Sequence, residues 1–204
     1  MDAESWNRRY ATSELIWTAE PNRFLVEEVA DLPPGRALDL GAGEGRNAVW
    51  LASRGWQVTA VDFSCVGLDK ARRLADAAGV DVGLVCADAT EPIDGVYDLV
   101  IVLYLHLPAA QRRIAYANAA AAVAPAGTLL IVGHDLTNVD DGVGGPQDPD
   151  VLFTPDDVVG DMSAAGLNVE RAERVHRRVT TVTTDTGGRD AIDALVRARR
   201  PGTD

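Results

Sequence analysis

The sequence predicts a doubly wound α/β fold, with a mostly parallel seven-stranded sheet and helices on both faces. Three observations carry that expectation. From residue 36 to 133, short apolar segments alternate with stretches of helical spacing. The most apolar segment, Tyr97–Leu103 (YDLVIVL), reads as a strand buried on both faces and so central in a parallel sheet. A glycine-rich junction joins the first strand to the helix after it.

Residues 3–17 and 22–32 have helical spacing, and Pro33-Pro34-Gly35 separates them from the first strand, Arg36–Leu40. Residues 45–54 form a helix stopped by Gly55, and Gln57–Asp62 is the second strand. Ser64 caps a helix through Ala78, which Gly79 ends. Residues 81–86 give the third strand, and Tyr97–Leu103 the fourth. Pro108 opens an Ala-rich helix to Ala124, and Pro125-Ala126-Gly127 turns into a strand at 128–133. Residues 135–154 read as a long polar loop carrying Gly142-Val143-Gly144-Gly145, a length that marks function or mobility. A helix at 155–165 and strands at 167–179 and 191–199, joined through 184–190, complete the chain. No internal repeat or linker divides it, so residues 1–204 are expected to form one domain.

At 204 residues the chain can hide roughly 70% of its unfolded surface, enough for one sizeable core. Asp and Glu number 31 against 19 Lys and Arg, a formal net charge of −12. That balance opposes binding to phosphate polymers or anionic membranes, which attract cationic surfaces. The opening MDAESWNRRY has no apolar leader core, and no run reaches a membrane span. Cys65 and Cys86 are too few for a disulfide framework and belong to no metal-ligand pattern; they read as small core or near-site residues. Cytoplasmic location is the expectation.

The chemistry concentrates in Leu38-Asp39-Leu40-Gly41-Ala42-Gly43-Glu44-Gly45. Glycines let the backbone turn sharply and approach a ligand, and the helix N-terminus behind them presents free N–H groups. Dinucleotides and S-adenosylmethionine both use such a junction. The dinucleotide fingerprint needs a third glycine where this chain has Arg46. Asp39, two residues before Gly41, would repel a pyrophosphate but attract a cationic amino group. Asp62 closes the second strand, where its carboxylate can take ribose hydroxyls; Asp88 comes after the third, placed to accept from an adenine amine. Phe63 and Leu103 can wall a base pocket. Arg46 opposes the dipole of the helix it begins, which suggests either an anion contact or a surface salt bridge.

Taken together and in order, these motifs resemble the class I S-adenosylmethionine-dependent methyltransferases over roughly residues 6–199. Trp6-Asn7-Arg8-Arg9-Tyr10 and Gly43-Glu44-Gly45-Arg46-Asn47-Ala48 are similar to the tellurite-resistance and thiopurine small-molecule branch. The resemblance implies a Rossmann-like sheet whose last strand, 191–199, is antiparallel. It implies a helical segment at 1–32, with Trp6, Tyr10 and Trp17, folding over the cofactor, and a sheet core at 36–199. It also implies cofactor contacts from Trp6, Tyr10, Asp39, Gly41, Ala42, Gly43, Arg46, Asp62, Phe63, Asp88, Ala89 and Leu103, with no metal.

His106 lies just past the fourth strand and His134 ends the fifth, both at the cleft edge if the topology holds. They are the candidate catalytic residues, His106 ahead of His134, and strand alternation would aim Tyr104 and His106 to one side. His176 reads as structural, and the run Arg171, Arg174, Arg177 and Arg178 as a solvated strand face. The expected activity moves a methyl group to an oxygen, nitrogen, sulfur or heavier chalcogen atom of a small molecule by in-line displacement. A monomer or homodimer acting on neither nucleic acid nor membrane is expected. A noncatalytic cofactor-binding module is the main rival; a nicotinamide-dependent oxidoreductase is disfavoured by Arg46 and Asp39. The lack of a [DNS]-P-P-[FYW] element at the fourth strand opposes a nucleic-acid methyltransferase.

Overall fold

The computed structural model describes residues 3–11, 15, 18–179 and 190–203. Helices α1 (Ala3–Tyr10) and α2 (Arg23–Val29) precede strand β1 (Arg36–Leu40) and helix α3 (Arg46–Ser53). Strand β2 (Gln57–Asp62), helix α4 (Cys65–Ala78), strand β3 (Val82–Cys86) and strand β4 (Tyr97–Leu103) come next. Then come α5 (Ala109–Ala121), β5 (Val123–His134), α6 (Asn138–Asp141), α7 (Pro155–Asp161), β6 (Asn168–Arg177) and β7 (Ala191–Arg199). The sheet order is β3-β2-β1-β4-β5-β7-β6, with β7 antiparallel to both of its neighbours and the other pairings parallel.

Period-two alternation along β4 explains the two-sided core. Leu99, Ile101 and Leu103 join Ala37, Leu130, Val132 and Leu195 under α2 and α3, where Phe24, Leu25, Ala48 and Leu51 cover them. Val100 and Val102 join Leu38, Leu40, Leu129 and Ile131 on the opposite face, under Ala115, Tyr116 and Ala119 of α5 and Val158 of α7. Each large side chain buried this way is worth about 1.5–3 kcal/mol. The strand ends are therefore fixed in space, and the residues just beyond them inherit that position.

Several expectations are corrected. Helix α5 ends at Ala121 rather than Ala124, because Val123 already pairs with Tyr97 of β4. Arg200 takes the carbonyls of Ala120 and Val123 at 2.7 Å each, closing that helix end. Helix α1 ends at Tyr10, while Trp17 and residues 184–189 of the expected connection lie outside the described residues. The long loop at 135–154 contains α6 and a 3-10 turn at Pro149–Val151, and Phe153 bridges to Asp135. Cys65 and Cys86 are exposed and joined in a disulfide across 5.4 Å between Cα atoms, not separate small core residues. The arginine run is not a plain solvated face: Arg171 pairs with Glu28, Arg174 with Asp135 and Arg177 with Asp193.

Candidate active site

The carboxyl ends of β1 and β2 shape one half of the site. Gly41 and Ala42 donate their N–H groups to Val61 O, so the loop after β1 is stitched across the end of β2. Asp62 Oδ2 accepts from Gly43 N and Oδ1 from Ser64 N, both at 2.8 Å. Burial raises the Asp62 carboxyl, against the lowering pull of these two N–H groups. Gly45 caps α3 with φ of 79°, and a Cβ there would fall 2.5 Å from Ala71 Cβ, so no side chain fits.

Asp39 is almost wholly buried, and its Oδ2 has no hydrogen-bond partner among the described residues. Its carboxyl is pushed up to about 7, first by burial and then by Asp62; the Ala48 N–H and Arg46 pull the other way. A buried acceptor without a donor is costly, so this oxygen is poised to receive one. Arg46 begins α3 and makes no hydrogen bond or ion pair among the described residues. Burial pushes its guanidinium down, while Tyr104 and Asp39 support its charge.

Helix α1 lies over this loop. The Tyr10 hydroxyl sits where a Gly43 Cβ would come within 2.8 Å, and Trp6 stacks on Tyr10 at 5.3 Å. Ser64 Oγ, at 2.6 Å from Asn7 Oδ1, anchors the helix. Phe63 is half-buried, Leu103 is buried, and Ala42 and Ala89 pack against the core. Asp88 turns its carboxylate onto Thr90 N and Oγ1, so it lies outside the buried cluster.

The other half lies at the ends of β4, β5 and β7. Strand β4 stops at Leu103 because Tyr104 takes φ of 58°, a strained value for a bulky residue. Strand alternation therefore does not relate Tyr104 to His106, although their rings lie 6.2 Å apart. His106 stacks on His134 at 5.4 Å between ring centres. Its Nδ1 lies 3.3 Å from Val151 O, and its buried Nε2 has no partner among the described residues. Burial, and then His134, pushes the His106 imidazole down to about 4.

Asp193, fully buried on β7, sits at the centre of this half. It accepts from the Tyr104 hydroxyl at 2.8 Å and Arg177 Nε at 2.9 Å, and lies 3.1 Å from His134 Nδ1. Burial alone would raise its carboxyl, but His134 and Arg177 hold it below the ordinary range. Asn22 donates its backbone N–H to Asn47 Oδ1, 2.9 Å away, tying the start of α2 to α3. Asp193 and Arg177 escaped sequence reasoning; the available signal was a lone acid, Asp193, in an apolar strand, which must find a partner. Among the described residues, no group of three His, Cys, Asp or Glu side chains could hold a metal ion.

In a doubly wound sheet of this kind, ligand positions lie at the carboxyl ends of the parallel strands. Residues 37–127 match the family described as a methyltransferase domain. The chain shares its fold with solved methyltransferase structures. The structure reported for conversion of a disulfide bond into a thioacetal group during echinomycin biosynthesis aligns with TM-score 0.77 at 23% identity, covering 99% of this chain and 93% of that one. TehB from Haemophilus influenzae aligns with TM-score 0.72 at 19% identity, over 97% of this chain and 66% of that one. The N-methyltransferase NodS from Bradyrhizobium japonicum WM9 in complex with S-adenosyl-L-homocysteine gives 0.70 at 18% identity, over 98% of each chain. Ribosomal RNA small subunit methyltransferase C from Alcanivorax borkumensis is 35% identical over 68 residues, 33% of this chain and 21% of that protein. The chain spans 17–27% of the length of the first curated relatives it matches.

Proposed function

We propose that this protein is an S-adenosylmethionine-dependent methyltransferase acting on a small molecule, working as a single cytoplasmic domain. The observation that carries the reading is the unpartnered Asp39 oxygen buried beside the glycine loop, an acceptor matched to a cationic amino group. Asp39 would hold the amino group of the cofactor, and Arg46 its carboxylate. Asp62 would take the ribose hydroxyls with lone pairs left over from Gly43 and Ser64, between Phe63 and Leu103. Gly41, Ala42 and Gly43 would offer backbone, Asp88 and Ala89 would meet the base edge, and Trp6 and Tyr10 would exclude water from above.

When bound, S-adenosylmethionine supplies an electrophilic methyl on sulfonium, whose C–S bond breaks with its electron pair on sulfur as the acceptor's lone pair forms the new bond. The protein's own task is alignment and desolvation. His106 and His134 would line the acceptor side. Support for a small acceptor comes from the net charge of −12 and from the pairing of Arg171, Arg174 and Arg177 with carboxylates, which leaves no open cationic face there. No helix among the described residues is long and apolar enough to cross a membrane.

Calorimetric titration with S-adenosylmethionine, S-adenosylhomocysteine and NAD tests the reading. Saturation at 100 times the dissociation constant adds about 2.7 kcal/mol of stability. Binding of NAD alone overturns it. Asp62→Ala is expected to weaken S-adenosylhomocysteine binding by about 1.5–3 kcal/mol.

A further inference from the structure

We propose that Asp193 is a positioning residue that makes His134 the base of the acceptor site, while His106 serves as a fixed hydrogen-bond acceptor beside it. The inference rests on the methyltransferase reading above and assigns the two histidines different work.

A carboxylate can only accept hydrogen bonds. Asp193 is kept ionised by Arg177 Nε at 2.9 Å and by the Tyr104 hydroxyl at 2.8 Å, both on Oδ2. Its other oxygen, Oδ1, lies 3.1 Å from His134 Nδ1 and has no better partner. The Nδ1 facing it therefore carries the proton, and Nε2 keeps its lone pair. The contact is close, although its geometry falls short of a hydrogen bond. The pairing is built into the sheet, because His134 and Asp193 are register partners on β5 and β7.

His106 also presents a bare Nε2, since its Nδ1 faces the Val151 carbonyl and must donate. What differs is the group behind each ring. Behind His106 stands a neutral carbonyl, and beside it the second imidazole, so a proton taken there has nothing to hold it. Behind His134 stands a carboxylate, whose negative charge faces the ring at 3.1 Å. The proton lost by the acceptor as its lone pair takes the methyl group therefore passes to His134 Nε2, and later to water. The charged and titratable groups around His134 are Asp193 on β7, Arg177 on β6, and Tyr104 and His106 after β4. Such a base matters for an acceptor that arrives with its proton, and little for one already anionic.

The test needs no acceptor. Protein labelled with nitrogen-15 at histidine is saturated with S-adenosylhomocysteine, and each imidazole tautomer is read by long-range proton–nitrogen correlation at a pH where the rings are neutral. The expected spectrum shows both His134 and His106 protonated at Nδ1. In Asp193→Asn the amide faces Nδ1, and His134 alone is expected to reverse to the Nε2–H form, the change an Asn imposes on such a dyad. A His134 already protonated at Nε2 in the wild type overturns the proposal, and that spectrum decides even if Asp193→Asn does not fold. An unchanged His134 in a folded Asp193→Asn also overturns it. Absence of S-adenosylhomocysteine binding in calorimetry instead removes the methyltransferase reading beneath it.

Discussion

The Tyr104 hydroxyl donates to Asp193 Oδ2 at 2.8 Å, joining positions 89 residues apart in the chain. This bond closes the gap between the loop after β4 and the reversed strand β7. Because the Tyr104 hydroxyl also accepts from Arg177 Nε at 3.2 Å, it ties β6 into the same cluster. Burial and the facing Asp193 carboxylate raise the phenol far above its usual range, so it stays a donor at any working pH.

Tyr104→Phe keeps the ring and removes the donor. The expected loss is about 1.5–3 kcal/mol, the worth of a bond to an ionised carboxylate. For a chain of this size that is about 3–12 °C in Tm. Differential scanning calorimetry checks it, and an unchanged Tm means the bond contributes nothing.

Asp39→Asn should trade stability against affinity. The folded carboxyl sits at about 7 against 3.8 for an ordinary aspartate, so its cost to folding is absent below pH 3.8, grows with pH and is complete above about 7. The variant is therefore expected to be more stable than the wild type at pH 8, by about 4 kcal/mol, and equal to it at the acid end of that window. An ammonium ligand needs the ionised carboxylate. Wild-type affinity for S-adenosylhomocysteine should fall as pH drops from about 8 to about 6, across the folded carboxyl's own titration, while the variant binds weakly and with less pH dependence. A variant that binds as tightly as the wild type removes Asp39 from the cofactor site.

The legible parts were those set by nearby residues. Arg36–Leu40, Gln57–Asp62 and Tyr97–Leu103 stand as read because each is an apolar run flanked by turn residues. Asp39 and Asp62 were visible for the same reason, since a buried strand fixes the position of the acid at its end. Asp193 was not, because its meaning depends on β7 lying between β5 and β6, a pairing no local pattern announces. Arg177 likewise looked like surface charge until that pairing turned it onto Asp193. The disulfide depends on β2 and β3 being neighbours, which brings Cys86 beside the start of α4.

That bridge closes a loop with sequence separation 21 and ties together the segments carrying Asp62 and Asp88. Loop-closure entropy puts its worth at about 3 kcal/mol. Reduction with dithiothreitol should lower Tm by about 6–12 °C and weaken S-adenosylhomocysteine binding several-fold. Thiol counting before and after reduction, with thermal melts of each form, checks both points. A Tm indifferent to reduction shows that the sheet alone holds these ends.

The loop over the histidines offers the sharpest test of the acceptor side. Gly145 has φ of +74°, and a Cβ built there would fall 2.5 Å from His134 Cδ2 and 2.7 Å from Nε2. Backbone of this loop therefore presses on the Cδ2–Nε2 edge of the His134 ring. The loop is held by Asn138, which donates to Gly144 O at 2.8 Å and accepts from Ile192 N at 2.7 Å, and by Val151 O against His106. Gly145→Ala adds a methyl into the imidazole and imposes an unfavourable φ, together costing about 1–3 kcal/mol if the loop stays in place. The loop should relax outward instead, loosening cover over His134 while leaving Asp39 and Asp62 untouched. Expected are an unchanged dissociation constant for S-adenosylhomocysteine and faster backbone hydrogen exchange confined to residues 142–152. Exchange that is unchanged in this segment shows that the loop does not bear on His134.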